Sequence, residues 1–291
     1  MAVFDISGKV ALITGANRSG GIGAEIARKL AAEGVSVFLH GYRSNPQPPQ
    51  VPRPEKPGEA RYRWEGQQPL SKVVGEIRAQ GWEAEGREGD LRDPALIPAL
   101  FDSAEETFGP VDILINNAAG WQADTFLPEG QTLPNQSVEL WTERPGQITP
   151  ESFERNFAVN TRAPVLLIAE FVNRHLDRSA GKGRIVNIST AGAYVFPSEV
   201  SYGASKFALE GYTRSAAVEL GSLGITVNVI APGPVQTGWI TEALEARILP
   251  TIPMGRIGLP ADIAQMVLFL VSDQADWITG QTMYVGGGHG M

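Results

Sequence analysis

Short runs of β-branched and aliphatic residues recur along this chain, separated by longer segments with helical patterning. The runs are Val10–Thr14, Val35–Leu39, Glu83–Glu88, Val111–Ile115, Arg184–Ile188, Thr226–Ile230 and Thr282–Val285. Several are apolar almost throughout, which suits a strand covered on both faces. Buried strands that alternate with helices build a parallel, doubly wound α/β sheet, here of seven strands. Asp93-Pro94 and Thr149-Pro150 each set an N-cap residue before a proline, the start signal of a helix.

Two stretches interrupt the alternation. Arg43–Pro69 holds seven of the 21 prolines: Pro46, Pro48, Pro49, Pro52, Pro54, Pro57 and Pro69. Proline lacks an N–H and clashes within a helix, so this stretch reads as a surface loop without helix or central strand. Trp121–Ile148 mixes Trp121 and Trp141 with Pro128, Pro134 and Pro145. Neither marks a domain boundary, so residues 1–291 read as one domain with insertions at about 43–69 and 121–148.

Charge narrows the partners. Twenty-four basic against 32 acidic residues give a net charge of −8. Nucleic acids and anionic membranes need clustered positive charge, so neither is an expected partner. No run approaches the ~18 apolar residues of a membrane span, and the first residues lack a leader pattern, so the chain reads as cytoplasmic. With no cysteine, thiolate catalysis and cysteine-bound metals are excluded. His40, His175 and His289 are too scattered for metal-ligand spacing, and no metal is expected.

The first strand enters Thr14-Gly15-Ala16-Asn17-Arg18-Ser19-Gly20-Gly21-Ile22-Gly23, after which a helix begins. Glycines there let the backbone approach a pyrophosphate, which sits at the helix N-terminus; this is the dinucleotide turn of a Rossmann-type sheet. The second strand ends His40-Gly41-Tyr42-Arg43 with no acid for a ribose diol, and Arg18 lies in the turn. NADP(H) is therefore favoured over NAD(H).

Ser189 ends an apolar strand at the carboxyl edge of the sheet, where such folds bind ligands. Tyr202 and Lys206 fall one helical turn apart, on one face. A cation at ~4 Å lowers the phenol's usual pKa near ~10 by up to roughly three units before desolvation subtracts.

Taken together, Ser189, Tyr202-x-x-x-Lys206, Asn116-Asn117-Ala118-Ala119-Gly120 and Pro232-Gly233-Pro234-Val235-Gln236-Thr237 resemble the short-chain dehydrogenase/reductase family. Gly255–Pro260 and Ile278–Gln281 fit the same pattern. The resemblance covers nearly the whole chain. It implies that Tyr202 donates a proton, Ser189 binds the substrate carbonyl, and Lys206 holds the nicotinamide ribose and lowers the Tyr202 pKa. Cofactor contacts are implied for Gly15, Asn17, Arg18, Gly21, Ile22, Asp90, Leu91, Asn117, Ala118, Ala119, Pro232, Gly233, Val235 and Thr237. Asn160 matches the family's relay residue. Pro164, four residues on, denies the Asn160 carbonyl its helical partner, so a water is expected there.

The resemblance implies an NADPH-dependent reductase of ketones, most similar to 3-oxoacyl-acyl-carrier-protein reductases, working as a homotetramer or homodimer on a small molecule. The alternatives are a dehydrogenase of a sugar, polyol or secondary-metabolite alcohol, and a non-catalytic dinucleotide sensor; sensors commonly lack the tyrosine or lysine present here. The glycine turn is two residues longer than the family's, and Gly286 replaces a customary aspartate. The insertion at 121–148 is expected to shape the substrate pocket, with Tyr194, Phe196 and Trp239 as apolar walls and Gly238–Leu259 as a mobile lid. The insertion at 43–69 is expected to touch a 2′-phosphate or a neighbouring subunit, or to be passive.

Overall fold

A computed structural model describes residues 4–45, 47, 49–128, 131 and 145–290. Pro46, Pro48, Pro134 and Trp141 lie outside them. All seven expected strands form: β1 (Val10–Ile13), β2 (Ser36–Gly41), β3 (Ala84–Glu88), β4 (Ile113–Asn116), β7 (Gly183–Ile188), β8 (Ile225–Pro232) and β9 (Thr282–Val285). They lie parallel in the order β3-β2-β1-β4-β7-β8-β9. The order reverses between β1 and β4, so a crevice opens beyond their carboxyl ends.

Two apolar layers cover the sheet. On one face α1 (Ile22–Ala32), α3 (Leu70–Arg78) and α9 (Pro260–Val271) bury Ile26, Leu30, Val73, Ile77 and Val267. On the other, α4 (Leu96–Phe108), α6 (Ala163–Asp177) and α7 (Val200–Leu220) pack Leu100, Phe101, Leu167, Phe171 and Ala217 against Leu12, Leu114 and Val227. Burial on both faces explains the unbroken apolar strands.

Three local expectations change. The first insertion is not all loop, because α2 (Glu59–Gly66) forms inside it. The prolines stop at Pro57, leaving a proline-free stretch up to Pro69 long enough for two helical turns. Asp93-Pro94 makes a turn, the Asp93 carboxylate accepting the Ala95 N–H at 3.0 Å, and α4 starts only at Leu96. Thr149-Pro150 does open α5 (Pro150–Phe157), with Thr149 and Ser152 capping each other. That helix does not run straight through Asn160: a wide π turn spans Ala158–Arg162, where the Ala163 N–H reaches the Ala158 carbonyl. Pro164, in the first turn of α6, has no N–H to offer, and the widened turn accommodates that loss.

In the second insertion, β5 (Asp124–Thr125) pairs with β6 (Gly146–Gln147). Asp124 anchors this ribbon. It is 1% exposed, accepting the Ser201 N–H at 2.8 Å and the Ser152 hydroxyl at 2.9 Å. The segment Gly238–Leu259 contains α8 (Glu242–Ile248) and its own small core of Ile240, Leu244, Ile248, Ile252 and Ile257.

Candidate active site

The crevice is built around Thr14, Gly15 and Asn117. The Thr14 hydroxyl accepts the N–H groups of Asn117 and Ala118 at 3.0 and 3.1 Å. The Asn117 amide donates to the carbonyls of Thr14 and Gly15, both at 2.9 Å. Gly15 has φ +70°, and a Cβ on it would stand 2.6 Å from the Ala118 Cα. Side chains are excluded there by both conformation and space.

His40, which sequence reading left without a role, locks the same turn. Its Nδ1 accepts the Gly15 N–H at 3.4 Å and its Nε2 meets the Gly89 carbonyl at 2.9 Å. Nε2 therefore carries the proton. Burial pushes this histidine down to about 4, against the smaller pull of the Gly89 carbonyl, so it stays neutral. A histidine ending a strand gives no local signal of such a bridge.

Gly21 and Ile22 begin α1, with the Gly21 N–H on the Arg18 carbonyl at 2.9 Å. Asn17 is turned away from the crevice, donating to the carbonyls of Gly66 and Tyr42 at 3.0 and 3.3 Å. The Arg18 guanidinium stacks 3.6 Å over the Tyr62 ring of α2, and its Nε is buried with no hydrogen-bond partner among the described residues. Helix α2 thus lies over the glycine turn and continues toward the opposite wall. The Gly58 N–H donates to the Gly238 carbonyl at 2.8 Å, and Glu65 approaches both Gly20 and Gly238. Glu65 is itself gripped by Arg53 and Arg61 at 2.5 and 3.1 Å. The first insertion reaches well past the adenosine end where the sequence placed it.

At that end, β2 pairs with β3 so that Gly41 faces Glu88. Glu88 pairs with Arg43 at 2.7 Å and accepts the Leu70 N–H. An acid missing from the end of β2 is thus supplied by its neighbour. Asp90 is held by Arg92 at 2.5 Å, while Leu91 is buried in the core and Ala119 is exposed.

On the other wall, Pro232 ends β8 and its carbonyl accepts the Ala191 N–H at 2.9 Å. Val235 is buried and bridges to Gly258, and Thr237 donates its N–H to the Val235 carbonyl. A Cβ on Gly233 would stand 2.7 Å from the Gly286 Cα. The close approach accounts for glycine at 286, where any side chain would crowd Gly233.

Tyr202 and Lys206 sit one turn apart at the start of α7. Lys206 is 2% exposed and its Nζ donates to the Ile188 carbonyl at 2.8 Å, bringing the ammonium to the end of β7. Asn160 donates to the Gly120 carbonyl and the Ser205 hydroxyl, and accepts the Gly120 N–H. It therefore ties the π turn to both the segment after β4 and α7. The Phe196 ring meets Tyr202 edge-on at 5.7 Å.

Electrostatics here differ from the sequence expectation. Burial pushes the Tyr202 phenol well above its ordinary value, with Glu199 and Tyr62 adding to the rise, and Lys206 does not offset it. Lys206 is itself pushed down to about 8 by burial. The Lys206 ammonium is directed to the Ile188 carbonyl, and desolvation dominates at both groups. Glu199, which sequence reading passed over, is 3% exposed, bonded by Trp121 and raised to about 8 by burial. Ser189 is also buried, and its hydroxyl donates to Glu210 at 2.7 Å.

A doubly wound sheet with a glycine turn at its switch point, and a half-buried tyrosine and buried lysine beside it, defines a nucleotide-dependent oxidoreductase. Comparison with known proteins narrows the class. A family model described as enoyl-(acyl carrier protein) reductase matches residues 65–289. The chain is 35% identical over 282 residues to the uncharacterized oxidoreductase YjdA of Bacillus subtilis (strain 168), covering 96% of each chain. It is 33% identical over 301 residues to the hydroxynaphthalene reductase-like protein Arp2 of Metarhizium guizhouense, covering 97% of this chain and 95% of that one. Among solved structures, a blue fluorescent protein from a metagenomic library, in complex with NADPH, superposes with a TM-score of 0.75 at 29% identity. That match covers 99% of this chain and all of the other (100%). The chain belongs to the short-chain dehydrogenase/reductase family, and it is an NAD(P)-dependent oxidoreductase.

Proposed function

We propose that this enzyme reduces a ketone on a fused or aromatic ring to a secondary alcohol, with NADPH as reductant and Tyr202 as proton donor. The observation that carries the reading is the pair of half-buried Tyr202 and buried Lys206, one turn apart, with Lys206 fastened to the Ile188 carbonyl at the carboxyl edge of the sheet.

The crevice fits a dinucleotide. Gly15 leaves backbone where a side chain cannot go, the buried Arg18 Nε lacks a hydrogen-bond partner among the described residues, and the Lys206 ammonium has three N–H groups against one carbonyl. Gly15, Arg18, Gly21 and Ile22 would hold the pyrophosphate; Asp90 and Leu91 the adenine; Asn117, Ala118, Ala119, Pro232, Gly233, Val235 and Thr237 the nicotinamide half. Asn17, committed to Tyr42 and Gly66, would act by shaping the turn. NADP(H) is preferred because Arg43 follows β2 and Arg92 lies over the Tyr42 ring beside it, each already holding an acid, and because the superposed relative holds NADPH.

A bound nicotinamide supplies the hydride. Tyr202 then gives its proton to the forming alkoxide, and its raised pKa keeps the phenol protonated beforehand. Lys206 would hold the ribose, and Asn160 would position a water that reloads the phenol. An aromatic substrate is favoured by the hydroxynaphthalene reductase-like relative, by Phe196 against Tyr202 and by Trp121 against Glu199. A second reading, reduction of 3-oxoacyl thioesters, is favoured by the description of the matching family model. Exposed Phe207, Tyr212 and Val218 on α7 support assembly into a homodimer or homotetramer through that helix.

The test is NADPH and NADH oxidation against bicyclic aromatic ketones, 3-oxoacyl thioesters and keto-sugars, with Tyr202→Phe alongside. Turnover of the ring ketones, lost by about a hundredfold or more in the variant, is the expected result. Turnover of thioesters alone selects the second reading. Cofactor binding without turnover of any ketone refutes both.

A further inference from the structure

A serine hydroxyl has one proton to donate. The Ser189 proton is directed to Glu210 Oε1 at 2.7 Å, between side chains that are 5% and 3% exposed. A hydroxyl that has spent its donor on a carboxylate cannot also donate to a substrate carbonyl. Ser189 shares its direction with Asn187, two residues back, whose amide donates to Thr213 of α7 at 2.8 Å. Residues two apart on extended chain point the same way, so this face of the strand end is turned into the packing against α7.

Thr190 comes next and leaves that face. It is only half-buried, and its side-chain hydroxyl makes no hydrogen bond among the described residues. Its carbonyl accepts the Ala193 N–H at 3.1 Å, turning the chain back over the first turn of α7. There Phe196 packs on Tyr202, and a Cβ on Gly203 would meet Phe196 and the Ala193 carbonyl. The turn that follows Thr190 therefore wraps the helix end that carries Tyr202.

We propose that Thr190, rather than Ser189, is the catalytic hydroxyl that holds the substrate carbonyl beside Tyr202, and that Ser189 and Glu210 form a buried brace beneath it. The inference rests on the reading of this site as a carbonyl reductase. Burial pushes the Glu210 carboxyl above its ordinary value, and the Ser189 hydrogen bond and the Arg214 charge offset part of that rise. Removing an oxyanion donor removes stabilisation made mainly in the transition state, whereas removing a brace loosens the fold.

The experiment compares Thr190→Val, Thr190→Ser and Ser189→Ala with the full-length parent, using NADPH and 2-tetralone as probe and reading kcat, KM and melting temperature. The expected result is a fall in kcat of about a hundredfold for Thr190→Val at an unchanged melting temperature. Thr190→Ser, which keeps the hydroxyl, recovers most of that loss. Ser189→Ala keeps kcat within about threefold and melts earlier. The proposal is overturned if Ser189→Ala loses the hundredfold while Thr190→Val stays near the parent. Should Ser189→Ala not fold, the two Thr190 variants decide alone, and equal rates for them and the parent overturn it. A parent that binds NADPH but reduces no ketone defeats the functional reading first, and the proposal falls with it.

Discussion

The guanidinium of Arg18 lies 3.6 Å above the ring of Tyr62, joining the glycine turn to a helix that belongs to the first insertion. The stack holds a cation where a dinucleotide phosphate would run, and α2 becomes part of the roof over the crevice. A desolvated cation–π contact contributes about 0.5–2 kcal/mol. Tyr62→Ala should therefore raise the Kd for NADPH by about three- to tenfold. Arg18→Ala should do likewise, and the double variant should be no worse than the worse single one. Calorimetric titration of the four proteins checks this; additive losses would show that the two residues act separately.

His40 makes the glycine turn sensitive to acid. Its pKa falls from the ordinary 6.5 to about 4 on folding. Between those values the unfolded chain binds more protons than the folded one, so stability declines as pH falls from 6.5 to 4. His40→Leu should lower the melting temperature at pH 7 by about 2–6 °C, through two lost hydrogen bonds. The gap between variant and parent should narrow toward pH 5. Scanning calorimetry across that range tests the sign.

Glu199 works in the opposite direction. Its pKa rises from 4.5 to about 8 on folding, so the folded chain holds the extra proton and stability declines as pH rises through that window. Glu199→Gln should raise the melting temperature at pH 8 by at least about 2–4 °C and leave it nearly unchanged at pH 4.5. Its removal also takes away a charge that lifts Tyr202. The pH limb of turnover that reports the phenol should move down. A limb that stays in place would show that Glu199 does not act on Tyr202.

Asp124 joins the second insertion to the start of α7 through the Ser201 N–H and to α5 through the Ser152 hydroxyl. Asp124→Ala should cost about 4–8 °C of melting temperature by orphaning the Ser201 N–H. It should also lower kcat, because Ser201 immediately precedes Tyr202. An unchanged kcat at a lowered melting temperature would restrict Asp124 to stability.

Seven strands, their parallel arrangement and the glycine turn were legible in the chain itself, because apolar runs, their alternation with helices and a glycine cluster are local patterns. So was the pairing of Tyr202 with Lys206, since helical spacing alone puts them on one face. The rest depended on contacts between distant segments. No local pattern announces that the His40 ring bridges Gly15 and Gly89, or that β3 brings Glu88 beside Arg43, because both follow from the register of neighbouring strands. Helix α2 was obscured by prolines that end just before it, and its place over the crevice was set by packing against Arg18 and Gly238. The sharpest case is the pair Ser189 and Thr190. Sequence reading named Ser189 and not its neighbour Thr190, and the reason to prefer Thr190 is Glu210, which tertiary packing alone carries to within 2.7 Å of Ser189. Sequence thus determined which chemistry the chain carries. Tertiary structure decided which of its groups are free to perform it, because a donor's freedom depends on what the folded chain has already placed against it.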